Sequence, residues 1–180
     1  RKLQQTLALE LYDMINDLTY QTDNIIAVRD AARSHAEAAS DELASELKAY
    51  ADALEAFRVS LSASREGAAI TGEEKLRERL GNLYGNVTAY DGRPSRTQLQ
   101  RRDTLREELD AADEVASELL GDRLAAVNTQ LAEADLAPIE IMGRDQWNEK
   151  EGMFGMTGAV GKHFFKMVFP RYVEGALTTF

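Results

Sequence analysis

The 180-residue chain contains no cysteine, which excludes disulfides, thiolate metal sites and thiol nucleophiles while leaving the redox compartment open. It has two histidines, His35 and His163, too far apart in sequence to suggest a metal cluster. Only three prolines are present to interrupt helices. No apolar run reaches the ~18 residues of a membrane-spanning helix; the best, Met153–Phe169, is broken by Lys162, His163 and Lys166. No signal peptide is visible. The chain opens on Arg1 rather than Met, which reads as a processed or excised piece and is consistent with the loss of an upstream signal. Aromatic side chains are scarce over the first 151 positions, because five of the six phenylalanines fall in Gly152–Phe180.

Charge follows the same division. In the last 29 residues Lys162, Lys166 and Arg171 stand against Glu174, giving +2; the remaining 18 basic and 30 acidic residues give the body −12. A body of that charge repels phosphates, so no nucleic-acid partner is expected. At this length about 70% of the unfolded surface is buried on folding, enough for one domain with its own core.

Apolar residues in the body recur at alternating steps of four and three, the period of a packed helix face. The first run is Leu7, Leu11, Met14, Leu18, Ile25, Val28 and Ala32, interrupted at Gln21. The second is Leu43, Leu47, Tyr50, Leu54, Phe57 and Leu61. Ser40 followed by Asp41 and Glu42 reads as an N-cap with acids in the first turn, which places a tight turn near 37–40. Ser62–Gly72 is glycine- and serine-rich and predicts a loop. A third stripe is Leu76, Leu80, Leu83, Val87 and Tyr90, with Gly81 and Gly85 suggesting a close helix–helix approach. Asp91-Gly92-Arg93-Pro94 stops it and Ser95 caps the next helix. The fourth runs Leu99, Leu105, Leu109, Ala112, Ala116, Leu119, then shifts phase near Gly121 to Leu120, Leu124, Val127 and Leu131, and ends by Pro138. Four such segments with short connections predict an all-α fold: an antiparallel, up-down four-helix bundle over 1–138, a linker over 139–151 and a partly helical tail over 152–180. The charge runs at Glu73–Lys75 and Arg101–Glu108 read as solvated helix faces.

Three segments carry a resemblance. Leu7–Met14 (LALELYDM), Lys75–Tyr84 (KLRERLGNLY) and Tyr90–Gln98 (YDGRPSRTQ), with Leu124–Ile139 fitting a last helix and its exit, are similar to the C-terminal helical region of bacterial exported proteins that carry sortilin-like (VPS10/BNR-repeat) β-propellers. The resemblance covers residues 3–150. It implies an exported, periplasmic helical accessory domain. The propeller itself, with its Ser-x-Asp-x-Gly-x-Thr-Trp repeats, is absent from the chain, so no hydrolase residue carries over, and the tail from Gly152 has no counterpart in the family pattern.

Residue chemistry offers no catalytic set. The carboxylates are spread along hydrophilic faces rather than paired in an apolar pocket, no Glu-x-x-His occurs, and His35 reads as a helix-end histidine packed on its stem. Gly152–Gly161 lacks the Lys-Ser/Thr ending of a phosphate-cradling loop. No enzyme activity, cofactor or metal is expected. The tail is the candidate docking site, through Phe154, Lys162, Phe164, Phe165, Lys166, Val168, Phe169, Arg171, Tyr172 and Phe180. Burying four phenylalanines yields roughly 6–12 kcal/mol, against a comparable ordering cost for some 20 flexible residues. A shape-matched groove on a protein subunit, including a membrane-embedded one, is therefore favoured over lipid alone, with headgroup contact as a supplement. Folding back onto its own bundle is the alternative for the tail.

Overall fold

The computed structural model describes residues 2–63, 74–89 and 92–151. Within them the chain is helical, without a strand. The helices are α1 (Lys2–Ala38), α2 (Asp41–Leu61), α3 (Leu76–Ala89), α4 (Arg96–Ser117), α5 (Arg123–Glu133) and α6 (Arg144–Glu151). A π-helical turn, Glu118–Asp122, joins α4 to α5 without a break. The described residues up to Met142 and those from Gly143 to Glu151 belong to separate units.

Most stripe residues form the core, while Phe57, Leu99 and Leu120 are only partly buried against it. Leu7, Leu11, Met14, Leu18, Ile25, Val28 and Ala32 of α1 are buried, as are Leu43, Leu47, Tyr50, Leu54 and Leu61 of α2. Leu76, Leu80, Leu83 and Val87 of α3 and Leu105, Leu109, Ala112 and Ala116 of α4 complete the inner face. Tyr90 lies outside the described residues. Ser40 takes the N-cap backbone position of α2, but its side chain makes no capping bond; its carbonyl accepts from the Ala44 N–H at 2.7 Å. Ser95 does cap α4: its hydroxyl accepts from the Gln98 N–H, and the Gln98 side chain returns a bond to the Ser95 N–H, a complete capping box.

The cross-helix bonds give the directions. Arg29 meets Glu55 and Arg33 meets Asp52, so α2 runs back along α1. Gln4 donates to the Val87 carbonyl at 2.9 Å, which places the end of α3 at the start of α1. Glu10 pairs with Arg102 and Gln21 with Asp113, so α4 runs parallel to α1. Arg79 of α3 pairs with Glu108 of α4, and Tyr50 of α2 reaches Leu119. Thus α2 and α3 follow one another in the same direction along the 37-residue α1, and strict up-down alternation of four helices does not hold between them. At their junction the Glu78 carboxylate accepts from the N–H groups of Ala63 (3.1 Å) and Lys75 (3.2 Å), while the Lys75 ammonium donates to the Val59 carbonyl at 2.6 Å. Two helices in tandem are held end to end by one carboxylate and one ammonium.

Three local expectations change. A Cβ on Gly85 meets nothing within 4 Å, so no close approach requires that glycine. The charge run of α4 is not only solvated surface, because Arg102 and Glu108 tie α4 to α1 and α3. Finally, α5 stops at Glu133, before Pro138 can act on it. Asp135 takes a left-handed φ of 59°; its N–H bonds the Ala132 carbonyl and the Leu136 N–H bonds the Leu131 carbonyl at 2.8 Å. This is a Schellman ending with aspartate where glycine is usual.

The phase shift near Gly121 has a structural cause. Leu119 and Leu124 are both buried although five residues apart. An α-helix would turn one of them away from the core. The π turn absorbs the additional residue and returns Leu124, Val127 and Leu131 to the inner face.

Candidate functional site

All ten residues of the expected docking face, Phe154 through Phe180, lie outside the described residues. Among those that are described, polar chemistry concentrates at three places in the first unit.

The first is an ion-pair cluster on α1 and α2. The Glu55 carboxylate accepts from Arg58 Nη2 at 2.7 Å and Nε at 3.0 Å and also pairs with Arg29, which in turn bonds Asp30. The Arg58 guanidinium, with Arg29, holds Glu55 down to about 2. Both guanidinium pKa values are correspondingly raised, against the burial that opposes them. Across α1 and α4, burial and the neighbouring Asp17 and Asp110 charges push Asp113 up, although Gln21 donates to it. These shifts follow from helix pairing and from crowding of like charges.

The second place is the π turn. The Tyr50 hydroxyl, buried in α2, donates to the Leu119 carbonyl at 2.8 Å. A π turn displaces carbonyls from the regular ladder, and a buried one left without a donor is costly. The Arg123 guanidinium stands 5.3 Å from the centre of the Tyr50 ring, within cation–π range. Burial pushes the Tyr50 phenol up to about 12.

The third is the non-helical segment Leu136–Met142 that follows α5. The Asn128 side-chain amide donates to the Ile139 carbonyl at 3.0 Å and accepts from the Ile139 N–H at 2.8 Å. Three residues on, the Asn24 amide accepts from the Met142 N–H at 2.9 Å and donates to the Met142 carbonyl at 3.3 Å. That carbonyl also receives the Tyr20 hydroxyl at 2.9 Å. Tyr20 and Asn24 are one turn apart on α1, so they present to the same point. Neither asparagine was legible as a main-chain anchor, since nothing in a helical period announces a partner outside the helix, whether 118 residues on, as for Asn24, or 11, as for Asn128; the only signal was a polar residue, Asn24, beside Ile25 in an apolar stripe.

Elsewhere, Leu83, Asn86, Arg93, Ser95, Thr97, Gln98 and Arg101 line a shallow depression at the α3–α4 junction, where Ser95 and Gln98 are committed to capping. His35 is half-buried in the last turn of α1, as expected of a helix-end histidine. No group of three or more metal-ligating side chains occurs among the described residues, and none of their helices is long and apolar enough to cross a membrane. In the second unit, α6 begins with the Gln146 side chain accepting from the Gly143 N–H, and the Arg144 guanidinium lies 5.1 Å from the centre of the buried Trp147 ring. Compared with models of protein families, with curated proteins and with solved structures, the chain matches none.

Proposed function

We propose that the chain is a non-catalytic helical scaffold or accessory subunit, exported and peripheral to a membrane, which docks through its C-terminal aromatic tail onto a protein subunit of a larger assembly. The observation that carries this reading is the division of the sequence at Gly152: an acidic body whose leucines form its own core, followed by a basic stretch holding five phenylalanines. Aromatic side chains flanked by cations anchor well in a desolvated groove. The body's resolved titration shifts trace to helix pairing and burial, which suits a carrier.

Deleting residues 152–180 is expected to leave helical content and cooperative unfolding of the body intact while abolishing co-purification with the partner from native membranes. Retained association would overturn the proposal. The similarity of Leu7–Met14, Lys75–Tyr84 and Tyr90–Gln98 to the helical ends of sortilin-like propeller proteins supports a second reading, in which the chain is the C-terminal helical domain of a propeller glycosyl hydrolase and is needed for that enzyme's fold. Propeller repeats encoded upstream of Arg1 would favour it, and a signal peptide or membrane anchor directly upstream would favour the first.

A further inference from the structure

We infer that the depression at the α3–α4 junction is an anion site for a soluble phosphorylated small molecule, whose phosphate the Arg93 and Arg101 guanidiniums hold. This site is independent of the C-terminal tail and of the docking proposed for it.

The chain as a whole carries −10, yet residues 79–102 hold five arginines and a single acid, Asp91. Two of those arginines are used within the fold: Arg79 pairs with Glu108, and Arg102 with Glu10 and Asp103. Arg93 and Arg101 are different. Both are exposed, both line the depression, and neither has an ion-pair or hydrogen-bond partner among the described residues. No carboxylate shares that lining. Two guanidiniums on one depression repel each other until an anion joins them, and the planar fork of each matches a pair of phosphate oxygens.

The capping box of α4 decides what the neighbouring polar groups can offer. Ser95 Oγ accepts from the Gln98 N–H, and Gln98 Oε1 accepts from the Ser95 N–H. Those bonds engage oxygens and leave the Ser95 hydroxyl proton and the Gln98 Nε2 hydrogens available as donors. Thr97, on the same lining, adds a hydroxyl. With Leu83 as its one apolar member, the lining suits an oxyanion better than a cation or an apolar group. Its volume of about 440 Å³ exceeds what a bare phosphate fills and falls in the range of small-molecule sites, so the phosphate is carried on a small organic body. Charges more than roughly 8 Å apart are largely screened at physiological ionic strength. A small ligand therefore meets the arginines, whereas a nucleic-acid strand or an anionic membrane meets the acidic body as well.

The test titrates the isotopically labelled full chain with inorganic pyrophosphate and follows backbone and arginine Nε–H resonances by heteronuclear NMR. Saturable shifts are expected at Thr97, Gln98 and the Arg93 and Arg101 side chains, with a Kd of about 1 mM or tighter. Arg93→Gln and Arg101→Gln remove charge but no bond of the fold, so the parent's helical circular dichroism is kept. Each should weaken binding about tenfold. Lys48→Gln removes the same charge from an exposed position of α2 and should leave the affinity within about twofold. No saturable shift by roughly 20 mM pyrophosphate overturns the inference, as does unchanged affinity in the two arginine variants or an equal loss in K48Q. Co-sedimentation with phosphatidylcholine vesicles containing phosphatidate should be the same for the parent and both arginine variants. Sedimentation lost in those variants would assign the phosphate to a lipid headgroup and overturn the soluble ligand.

Discussion

Asp113 is a carboxylate in an unfavourable place. Burial and the charges of Asp17 and Asp110 raise its pKa in the folded state. A raised carboxylate stabilises the fold only while protonated, so its contribution is present below the ordinary aspartate value of about 3.9 and is lost as pH rises through the folded value. At neutral pH the ionised group therefore works against folding. Asp113→Asn keeps an oxygen for the Gln21 amide and removes the charge. We expect the melting temperature at pH 7 to rise by roughly 1–3 °C, and the advantage to shrink as pH is lowered below 4. A melting temperature that is unchanged or lower at pH 7 would contradict this account. The stripes made Asp113 legible as a surface position beside Ala112, but not as one facing Gln21 across a helix pair.

The α4–π–α5 segment makes a comparably sharp case for an element. Its buried positions advance by four and three residues up to Leu119, then by five to Leu124, then by three and four to Leu131. Gly121 within the π turn is exposed, and a Cβ there would meet nothing within 4 Å. Deleting Gly121 should let the turn relax to α-helix and leave Leu119 and Leu124 four apart, so the inner face stays continuous. The expected cost is about 1–3 kcal/mol, from the changed partner of the Tyr50 hydroxyl. Deleting Ala126 instead rotates Val127 and Leu131 out of the core, at a cost above roughly 3 kcal/mol. Urea unfolding of the two deletions, monitored by circular dichroism, separates them, and equal losses would mean that the π turn does not set the register. The phase shift itself was visible in the spacing. Which of several devices absorbed it, a kink, a loop or a π turn, depended on the donor that Tyr50 supplies from another helix.

Across the whole first unit, the helices are held to one another by their leucines and by a few long-range charge pairs: Arg29–Glu55, Arg79–Glu108 and Arg102–Glu10. Glu55 is the most perturbed of these, and its sign is opposite to that of Asp113. Held down to about 2 by Arg58 and Arg29, it stabilises the fold above its ordinary value near 4.5, and that contribution fades as pH falls toward 2. Glu55→Gln should therefore lower stability between pH 5 and 7 but leave it unchanged near pH 2, shifting the acid-unfolding midpoint to higher pH. A stability difference that stays constant from pH 7 to pH 2 would show that packing, not charge, is lost. The spacing of apolar residues was enough to say that the body is helical, where most of its helices begin and end, and most of the side chains that lie inside, because burial along a helix repeats with the 3.6-residue turn and needs only local information. It did not say that α2 and α3 run in tandem along α1, that Arg102 and Glu108 look inward to other helices, or that Asn24 and Asn128 grip a main chain. Those features depend on which faces meet between separate elements, at separations from 11 residues (Asn128–Ile139) to 118 (Asn24–Met142), and any four amphipathic helices satisfy their leucines in several ways; the choice among them belongs to the specific cross-helix bonds.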